Sequence, residues 1–303
     1  MSAGDREVRS LARRLLSSPD HPHQPPTIGR VRGLSGGRNN RLFACQTDDG
    51  EVCVKLYLRD GVRRARHEWA ALSVLAAAGI DAVPHPIGVQ LSPTPAVAMT
   101  LLPGHPQGGA PLTVEQIRQL ADLFAVLHAI TPDAVPGPVP RVRLSVAPML
   151  AEVRHRWSAC DTDDATPVRK DLRLLWQDWA AGPAPALLSR PTPAVFGHGD
   201  PNPSNCLWDG SRVRLVDFEY AGWSDPHHEA ALLVEHVQSR TTPDATWSLF
   251  EDLACPDEAD RTRVHAARGL VAWFWTMEFW PTDEIDSTRF ADQADRLHHV
   301  LLP

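Results

Sequence analysis

The sequence predicts an α+β fold, in which a small antiparallel sheet forms an N-terminal lobe and helices form a larger C-terminal lobe. Three observations support this prediction. Residues 31–58 alternate short apolar runs with Gly and Asp-Gly turn signals, a pattern typical of strands. After residue 104, apolar side chains recur at three- and four-residue intervals, which indicates helices. With 303 residues, the chain is long enough to bury a sizeable core in two lobes.

The N-terminal lobe is predicted to begin with an amphipathic helix over residues 3–16, because its apolar side chains share one helical face. Residues 42–56 then predict a β-hairpin around an Asp-Gly turn. A second helix is expected over 63–78, with Gly79 as its stop signal. Residues 97–102 predict a strand that ends at a Pro-Gly pair.

The C-terminal lobe is predicted to be mainly helical, with short strands and a loop over residues 194–220. Four prolines within 183–193 predict a linker or loop there. We therefore divide the chain into an N-lobe (1–98), a hinge (99–104) and a C-lobe (105–303). The helices of the C-lobe are expected at residues 114–127, 147–158, 168–181, 226–238, 258–279 and 288–301.

The composition excludes several classes of protein. Hydrophobic residues make up 43% and charged residues 22%, as in ordinary globular proteins. A net charge of -7 argues against nucleic acid as the main partner and is compatible with a cationic small ligand. The apolar runs are too short for a membrane helix, and no secretory signal is visible. Five cysteines without a Cys-x-x-Cys pair fit a reducing cytoplasm better than a disulfide framework or a zinc site.

The most informative motif is His198-Gly199-Asp200, followed by Asn205 and, after an apolar strand, by Asp217. These residue types at this spacing are typical of phosphoryl transfer. An acceptor hydroxyl needs a carboxylate that orients it and takes its proton, and Asp200 is the candidate for this base. The nucleotide needs Mg²⁺, which prefers oxygen ligands, and Asn205 and Asp217 are the candidates to hold it.

Three further features precede this motif in the chain, in the order that is typical of phosphoryl-transfer enzymes. The glycine-rich turn over residues 33–40 lies between predicted strands, where backbone N–H groups can approach phosphate oxygens. Lys55, one of only two lysines in the chain, lies on the next strand and can reach the nucleotide phosphates. Glu68 lies on the following helix and is expected to pair with Lys55. Ser35 and Asn40 can equally be turn formers alone.

With these parts together, the sequence resembles the aminoglycoside phosphotransferase and choline kinase superfamily, whose members have a protein-kinase-like two-lobed fold. The resemblance spans residues 31–280. It rests on Leu34-Ser35-Gly36-Gly37-x-x-Asn40, Val54-Lys55, Glu68, Leu101-Leu102-Pro103-Gly104, Leu127-His128, His198-Gly199-Asp200-x-x-x-x-Asn205 and Asp217-Phe218-Glu219-Tyr220-Ala221.

The resemblance implies roles for particular residues. Lys55 would bind the nucleotide phosphates, Asp200 would be the base, and Asn205 and Asp217 would bind Mg²⁺. Adenine would lie against the strand that contains Met99 and Leu101. The expected nucleotide-binding residues are thus Ser35, Gly36, Gly37, Asn40, Lys55, Glu68, Met99 and Leu101.

Two departures from protein kinases indicate a small-molecule acceptor. Gly199 stands where those enzymes have Arg, and Glu219 stands where they have the Gly of Asp-Phe-Gly. Both are common in the small-molecule kinases that the sequence resembles, and both argue against a protein substrate. His198 is interpreted as structural support for the loop.

The acceptor pocket of such kinases involves the catalytic loop and the C-terminal helices. The candidates here are Tyr220, Trp223, Glu229, Trp275 and Glu278, because aromatic rings and carboxylates can bind a cationic amine. Choline, ethanolamine and thiamine kinases have similar aromatic runs. Aminoglycoside enzymes tend to use scattered carboxylates, for which Glu229, Glu235, Asp283 and Glu284 are available.

The predicted function is a cytoplasmic phosphotransferase that uses Mg²⁺ and ATP (or GTP) to phosphorylate a hydroxyl of a small, amine-bearing molecule. An aminoglycoside-type antibiotic or a related metabolite is the first expectation for the acceptor. A choline-, ethanolamine- or thiamine-type kinase is the alternative. A nucleotide-binding pseudokinase is a third, although every expected catalytic position is filled.

Overall fold

The computed structural model describes residues 3–17, 27–34, 40–135, 139, 142, 144–160, 166–280 and 287–302. The described strands are β1 (Val31–Leu34), β2 (Asn40–Thr47), β3 (Gly50–Tyr57), β4 (Pro86–Gln90), β5 (Ala96–Thr100), β6 (His105–Pro106), β7 (Val195–Gly197), β8 (Cys206–Trp208), β9 (Val213–Leu215) and β10 (Gly222–Ser224). The described helices are α1 (Ala3–Leu16), α2 (Gly61–Ala77), α3 (Val114–His128), α4 (Val146–Ala159), α5 (Pro167–Ala181), α6 (Pro183–Leu188), α7 (Pro226–Val234), α8 (Asp244–Ala254), α9 (Glu258–Glu278) and α10 (Ser287–Leu301).

The chain divides into two compact units. The sheet unit consists of Met1–Pro106, Val135–Pro140 and Asn205–Ala221. The helical unit consists of Gln107–Ala134, Arg141–Ser204 and Gly222–Pro303. The predicted lobe boundaries and the hinge at 99–104 stay predictions.

The sheet unit is built on a five-stranded antiparallel sheet of order β1-β2-β3-β5-β4. The predicted hairpin is β2–β3, in which Thr47 pairs with Gly50 and Gly50 adopts a φ of 126°. The apolar face of α1 packs on the sheet through Val8, Leu11 and Leu15. A second sheet of order β6-β8-β9 carries the segment from Asn205 to Asp217.

The helical unit has its core around α9. Trp273 and Leu270 of that helix are fully buried, and Trp179 of α5 packs against them. Strand β7 pairs with β10 in a two-stranded antiparallel sheet that flanks the predicted catalytic loop. Within the ranges given above, no helix is both long and apolar enough to cross a membrane.

Two local predictions for the helical unit need correction, and one helix was missed. The segment predicted as a loop contains α6, because Pro183 fits the first turn of a helix, where no N–H is needed. The helix predicted over 226–238 ends at Val234 and is followed by a 3-10 turn over Val237–Thr241. Helix α8 was not predicted, although Trp247 and Phe250 share its buried face.

Candidate active site

A buried cluster of charged side chains surrounds Lys55 in the sheet unit. Lys55 lies in the middle of β3 with 2% of its surface exposed. Its Nζ lies 2.6 Å from Glu68 Oε2 and 2.6 Å from Asp217 Oδ1. The predicted Lys55–Glu68 pair is therefore confirmed, and Asp217 is a second partner of the same ammonium.

The charge of Lys55 is stabilised by its neighbours. Burial lowers the pKa of Lys55, but attraction to Asp217 and Glu68 outweighs burial and raises that pKa above its ordinary value. The side chain is therefore a fixed ammonium at neutral pH. A fixed cation held between carboxylates is suited to contact phosphate oxygens.

Glu219 joins this cluster from the segment after Asp217. One of its oxygens pairs with the guanidinium of Arg64, and Oε2 accepts a hydrogen bond from Asn40 Nδ2 at 2.9 Å. Lys55 Nζ lies 3.2 Å from the same oxygen. Sequence reasoning missed Arg64, although it lies four residues before Glu68 and therefore on the same helical face.

Asp217 has an unusual backbone conformation. Its φ of 72° lies in the left-handed region, which is uncommon for residues other than glycine but is adopted more often by aspartate than by most. The next amide, Phe218 N, donates to Glu68 Oε1 at 3.2 Å, and the Phe218 ring is fully buried. This anchoring leaves the Asp217 side chain 30% exposed, so its carboxylate remains accessible.

The donor set of the sheet unit fits a divalent cation of the magnesium type. Val216 N donates to Asn205 O at 3.0 Å, so the backbone holds the Asn205 and Asp217 segments side by side. Carboxylate oxygens of Glu68, Asp217 and Glu219 lie within 4.8 Å of one another. Three carboxylates outnumber the two cations Lys55 and Arg64, and hard oxygen ligands with excess negative charge suit Mg²⁺.

The predicted catalytic loop belongs to the helical unit and is stabilised by its own side chains. Asn202 Nδ2 donates to Asp200 O at 3.2 Å, and Ser204 N donates to Asn202 Oδ1 at 3.0 Å. His198 is 1% exposed, and its Nδ1 accepts a hydrogen bond from Asp200 N at 3.4 Å. These contacts support the interpretation of His198 as structural support for the loop.

A buried carboxylate contacts this loop from α7. Glu229 is 0% exposed, and its Oε2 accepts a hydrogen bond from Gly199 N at 3.1 Å. Its Oε1 accepts another from Ser224 Oγ at 2.7 Å. Burial is the main reason that the pKa of Glu229 is raised to about 7. The role of Glu229 in the acceptor pocket stays a prediction.

The N-terminus of α7 is fixed by a second buried carboxylate. Asp225 caps the helix, as its position before Pro226 indicates, and accepts bonds from the backbone N–H groups of the first turn. Arg263 of α9 pairs with Asp225 at 2.7 Å. Burial raises the pKa of Asp225, but hydrogen bonds from His227 and Arg263 outweigh it and hold that pKa well below its usual range.

Comparison with known proteins decides the family. The model of a family described as the phosphotransferase enzyme family matches residues 30–266, which is more than half of the chain. The chain belongs to this family. No curated protein sequence matches it.

Solved structures with the same fold include kinases and phosphotransferases. A choline/ethanolamine kinase family protein from Mesorhizobium loti is 19% identical, with a TM-score of 0.68, and the match covers 99% of this chain and 95% of that one. A macrolide 2'-phosphotransferase from Brachybacterium faecium is 21% identical, with a TM-score of 0.63 and 98% coverage of both chains. An aminoglycoside 2'-phosphotransferase-IIIa in complex with GDP is 17% identical, with a TM-score of 0.65, covering 91% and 93%. These likenesses confirm the predicted α+β, protein-kinase-like fold.

The remaining nucleotide candidates lie on or beside the large sheet. Met99 lies on β5 opposite Cys53 and is 4% exposed, and Leu101 follows the end of that strand. Asn40 opens β2 and contacts Glu219, as described above. Ser35, Gly36 and Gly37 lie outside the described residues.

The other candidates for acceptor binding have varied surroundings. The Tyr220 ring lies against Arg64, 5.5 Å from the guanidinium carbon. In the helical unit, Trp223 contacts Phe196 edge-on. Trp275 stacks on Phe279 at 5.8 Å and meets the His236 ring edge-on at 5.2 Å, while Glu278 pairs with Arg156. Their roles in acceptor binding stay predictions.

Proposed function

We propose that this phosphotransferase transfers the γ-phosphoryl group of ATP (or GTP) to a hydroxyl of a small, amine-bearing molecule. The observation that carries the proposal is the buried Lys55 ammonium held between Glu68 and Asp217. This arrangement places a fixed cation beside an accessible carboxylate, as phosphate and metal binding both require. The solved complex of a 2'-phosphotransferase with GDP supports a nucleoside triphosphate as the donor.

Each residue has a definite task in the proposed reaction. Lys55 would contact the phosphates, and Asn205 and Asp217 would hold Mg²⁺, which when bound would neutralise the charge of the transferring group. Asp200 orients the acceptor hydroxyl and takes its proton. The acceptor oxygen then bonds to the γ-phosphorus, while the bond from that phosphorus to the bridging oxygen of the nucleoside diphosphate breaks. Catalysis comes mainly from positioning and charge neutralisation.

The charge of residues 222–303, one part of the helical unit, favours a cationic acceptor. Residues 222–303 carry more than twice as many acidic as basic side chains, although the chain as a whole carries a net charge of only -7. A local excess of negative charge attracts polyamines and repels anions. An aminoglycoside-type molecule fits this charge, and a choline- or ethanolamine-type amine fits the aromatic rings of Trp275 and Phe279 as well.

A coupled ADP-release assay tests the proposal. The purified chain is incubated with MgATP and a panel of aminoglycosides, choline, ethanolamine, thiamine, peptide antibiotics and nucleosides. We expect at least one hydroxylated amine to stimulate ADP release, with mass spectrometry showing one added phosphate. Asp200→Ala should lower kcat by ~10²–10⁴ while the chain still binds nucleotide. ATP binding without turnover across the whole panel would favour the pseudokinase instead.

A further inference from the structure

Three side chains of helix α2 contact the segment that directly follows Asp217 in the sheet unit. The three pairs are Glu68 with Phe218 N, Arg64 with the Glu219 carboxylate, and His67 with Ala221 O. Residues 64, 67 and 68 lie three and four positions apart, so they share one face of the helix. We name this set of side chains the α2 clamp, because it holds residues 218–221 from one side.

Arg64 fixes the middle of this segment through a buried ion pair. It is 3% exposed, and its guanidinium pairs with one oxygen of Glu219, which is itself 4% exposed. The other oxygen of Glu219 accepts a hydrogen bond from Asn40 Nδ2 at 2.9 Å. Removing one partner of a buried pair leaves the other charge uncompensated, so such pairs stay closed in the folded protein. Arg64 therefore determines where residue 219 lies.

His67 holds the far end of the same segment. Its Nε2 donates to Ala221 O, since a carbonyl oxygen can only accept. Ala221 is fully buried, so water does not replace this donor when the side chain is lost. A buried carbonyl without a partner is costly, and the segment would have to shift to find one.

The direction of the Asp217 carboxylate depends on this anchoring. The left-handed φ of 72° at Asp217 sets a sharp change in chain direction, and the residues that follow it are those that α2 holds. Its Oδ1 lies 2.6 Å from Lys55 Nζ. A rotation of the backbone at this point would move the carboxylate relative to that ammonium. Side chains that orient a metal ligand typically contribute about 10–100-fold to metal affinity.

Arg64 also limits the competition for Lys55. The ammonium lies 2.6 Å from Asp217 Oδ1 but 3.2 Å from Glu219 Oε2. Without the guanidinium, the full charge of Glu219 would attract Lys55 more strongly and draw it away from Asp217. Both consequences of losing Arg64 therefore act on the same carboxylate.

We propose that Arg64 and His67 are positioning residues that hold the Asp217 carboxylate in the direction that metal binding requires. The proposal rests on the function proposed above, because that function makes Asp217 a ligand of Mg²⁺. Each residue acts through the chain after Asp217, Arg64 at Glu219 and His67 at Ala221.

The first readout is metal binding by the full chain, which needs neither an acceptor nor turnover. Electron paramagnetic resonance measures free Mn²⁺ in the presence of the ATP analogue AMP-PNP, and a parallel titration in EDTA measures the affinity for the metal-free analogue. Arg64→Met and His67→Leu should each weaken Mn²⁺ binding about 10–100-fold. The affinity for the metal-free analogue should stay close to that of the wild type, whereas a general loss of structure would weaken both.

The second readout is amide hydrogen exchange of residues 216–221 in the metal-free protein. The Phe218 amide is bonded to Glu68 and should exchange slowly in the wild type. Both variants should accelerate the exchange of this segment, because they release it from α2. Exchange in the β2–β3 hairpin should not change.

Matched variants make the result specific. His67→Gln keeps an N–H donor for Ala221 O and should restore much of the affinity that His67→Leu loses. Arg64→Met combined with Glu219→Gln should lose no more than Arg64→Met alone, because Arg64 acts through Glu219. Arg212→Met removes an exposed arginine pair of the same unit, in which Arg212 Nη1 lies 3.0 Å from Asp81 Oδ2. It should bind Mn²⁺ as the wild type does.

The outcomes separate this inference from the proposed function. Wild-type Mn²⁺ affinity in both Arg64→Met and His67→Leu would overturn the positioning role, and so would an equal loss of metal-free binding. His67→Leu decides the matter if Arg64→Met does not fold, because it leaves no buried charge unpaired. If the variants behave as expected but the wild type phosphorylates no acceptor, the proposed function fails and the positioning role stands. A wild type that binds no Mn²⁺ would overturn both.

Discussion

Replacing Glu229 by glutamine should remove a pH-dependent contribution to the stability of the folded protein. The pKa of this carboxyl is 4.5 in an ordinary setting and is raised to about 7 in the folded chain. Between these values the folded state keeps a proton that the unfolded chain has already lost. The free energy of unfolding therefore decreases as pH rises through this window, and the contribution of the proton is fully lost above pH 7.

The size of the effect follows from the two pKa values. One pKa unit corresponds to about 1.4 kcal/mol, so the ionised carboxylate costs the fold about 3 kcal/mol at high pH. Between pH 5 and pH 8, the change amounts to about 2–3 kcal/mol. Glutamine has a similar shape and does not ionise, so Glu229→Gln should be more stable than the wild type at pH 8 and about equally stable at pH 5.

Urea unfolding followed by tryptophan fluorescence measures this difference at pH 5, 6, 7 and 8. Glu152→Gln is the matched control, because the Glu152 side chain is 45% exposed and pairs only at the surface with Arg156. It should keep the pH dependence of the wild type. Parallel unfolding free energies of Glu229→Gln and the wild type across this range would refute the reasoning.

Three other predictions concern the remaining charge clusters. Lys55→Met should lower ATP turnover about 100-fold or more, measured as kcat. It should also lower the free energy of unfolding by about 3–5 kcal/mol, measured by urea unfolding, because the buried carboxylates lose their cationic partner. Asp217→Asn should raise the Mg²⁺ concentration for half-maximal ADP release about 10–100-fold, and EDTA should abolish release in the wild type. Arg263→Leu should cost about 3 kcal/mol at pH 7, measured by urea unfolding. That loss should shrink below pH 4, because the low pKa of Asp225 stabilises the fold only while its carboxyl is ionised.

Local patterns explain how much of the fold the sequence predicts. Apolar periodicity places α2 within two residues of its observed start, and its buried face carries Ala65, Leu72 and Leu75. The Asp-Gly signal places the β2–β3 turn, because only a few backbone conformations connect two paired strands. The prediction of a loop at α6 is wrong because proline, which interrupts the interior of a helix, also fits the first turn of one.

The candidate site is predictable where the chemistry of one residue determines the type of partner that it needs. A lysine in a buried strand needs a carboxylate, and Glu68 on the next helix is the available one. The Arg64–Glu219 pair joins residues 155 positions apart, and no local pattern marks it. The burial of Glu229 is a similar case: glutamate is mostly exposed in proteins, so no local pattern indicates that this side chain is completely buried.

Because the chain contains only two lysines, chemical labelling of amines can report on each of them separately. The side chains of its two lysines have different surroundings. Lys55 is 2% exposed and its ammonium pairs with carboxylates, whereas Lys170 on α5 is exposed to solvent. An amine-reactive reagent should therefore acylate Lys170 rapidly and Lys55 slowly. The ratio of the two labelled peptides then reports on the lysine–carboxylate cluster in a single digest, with Lys170 as the internal standard.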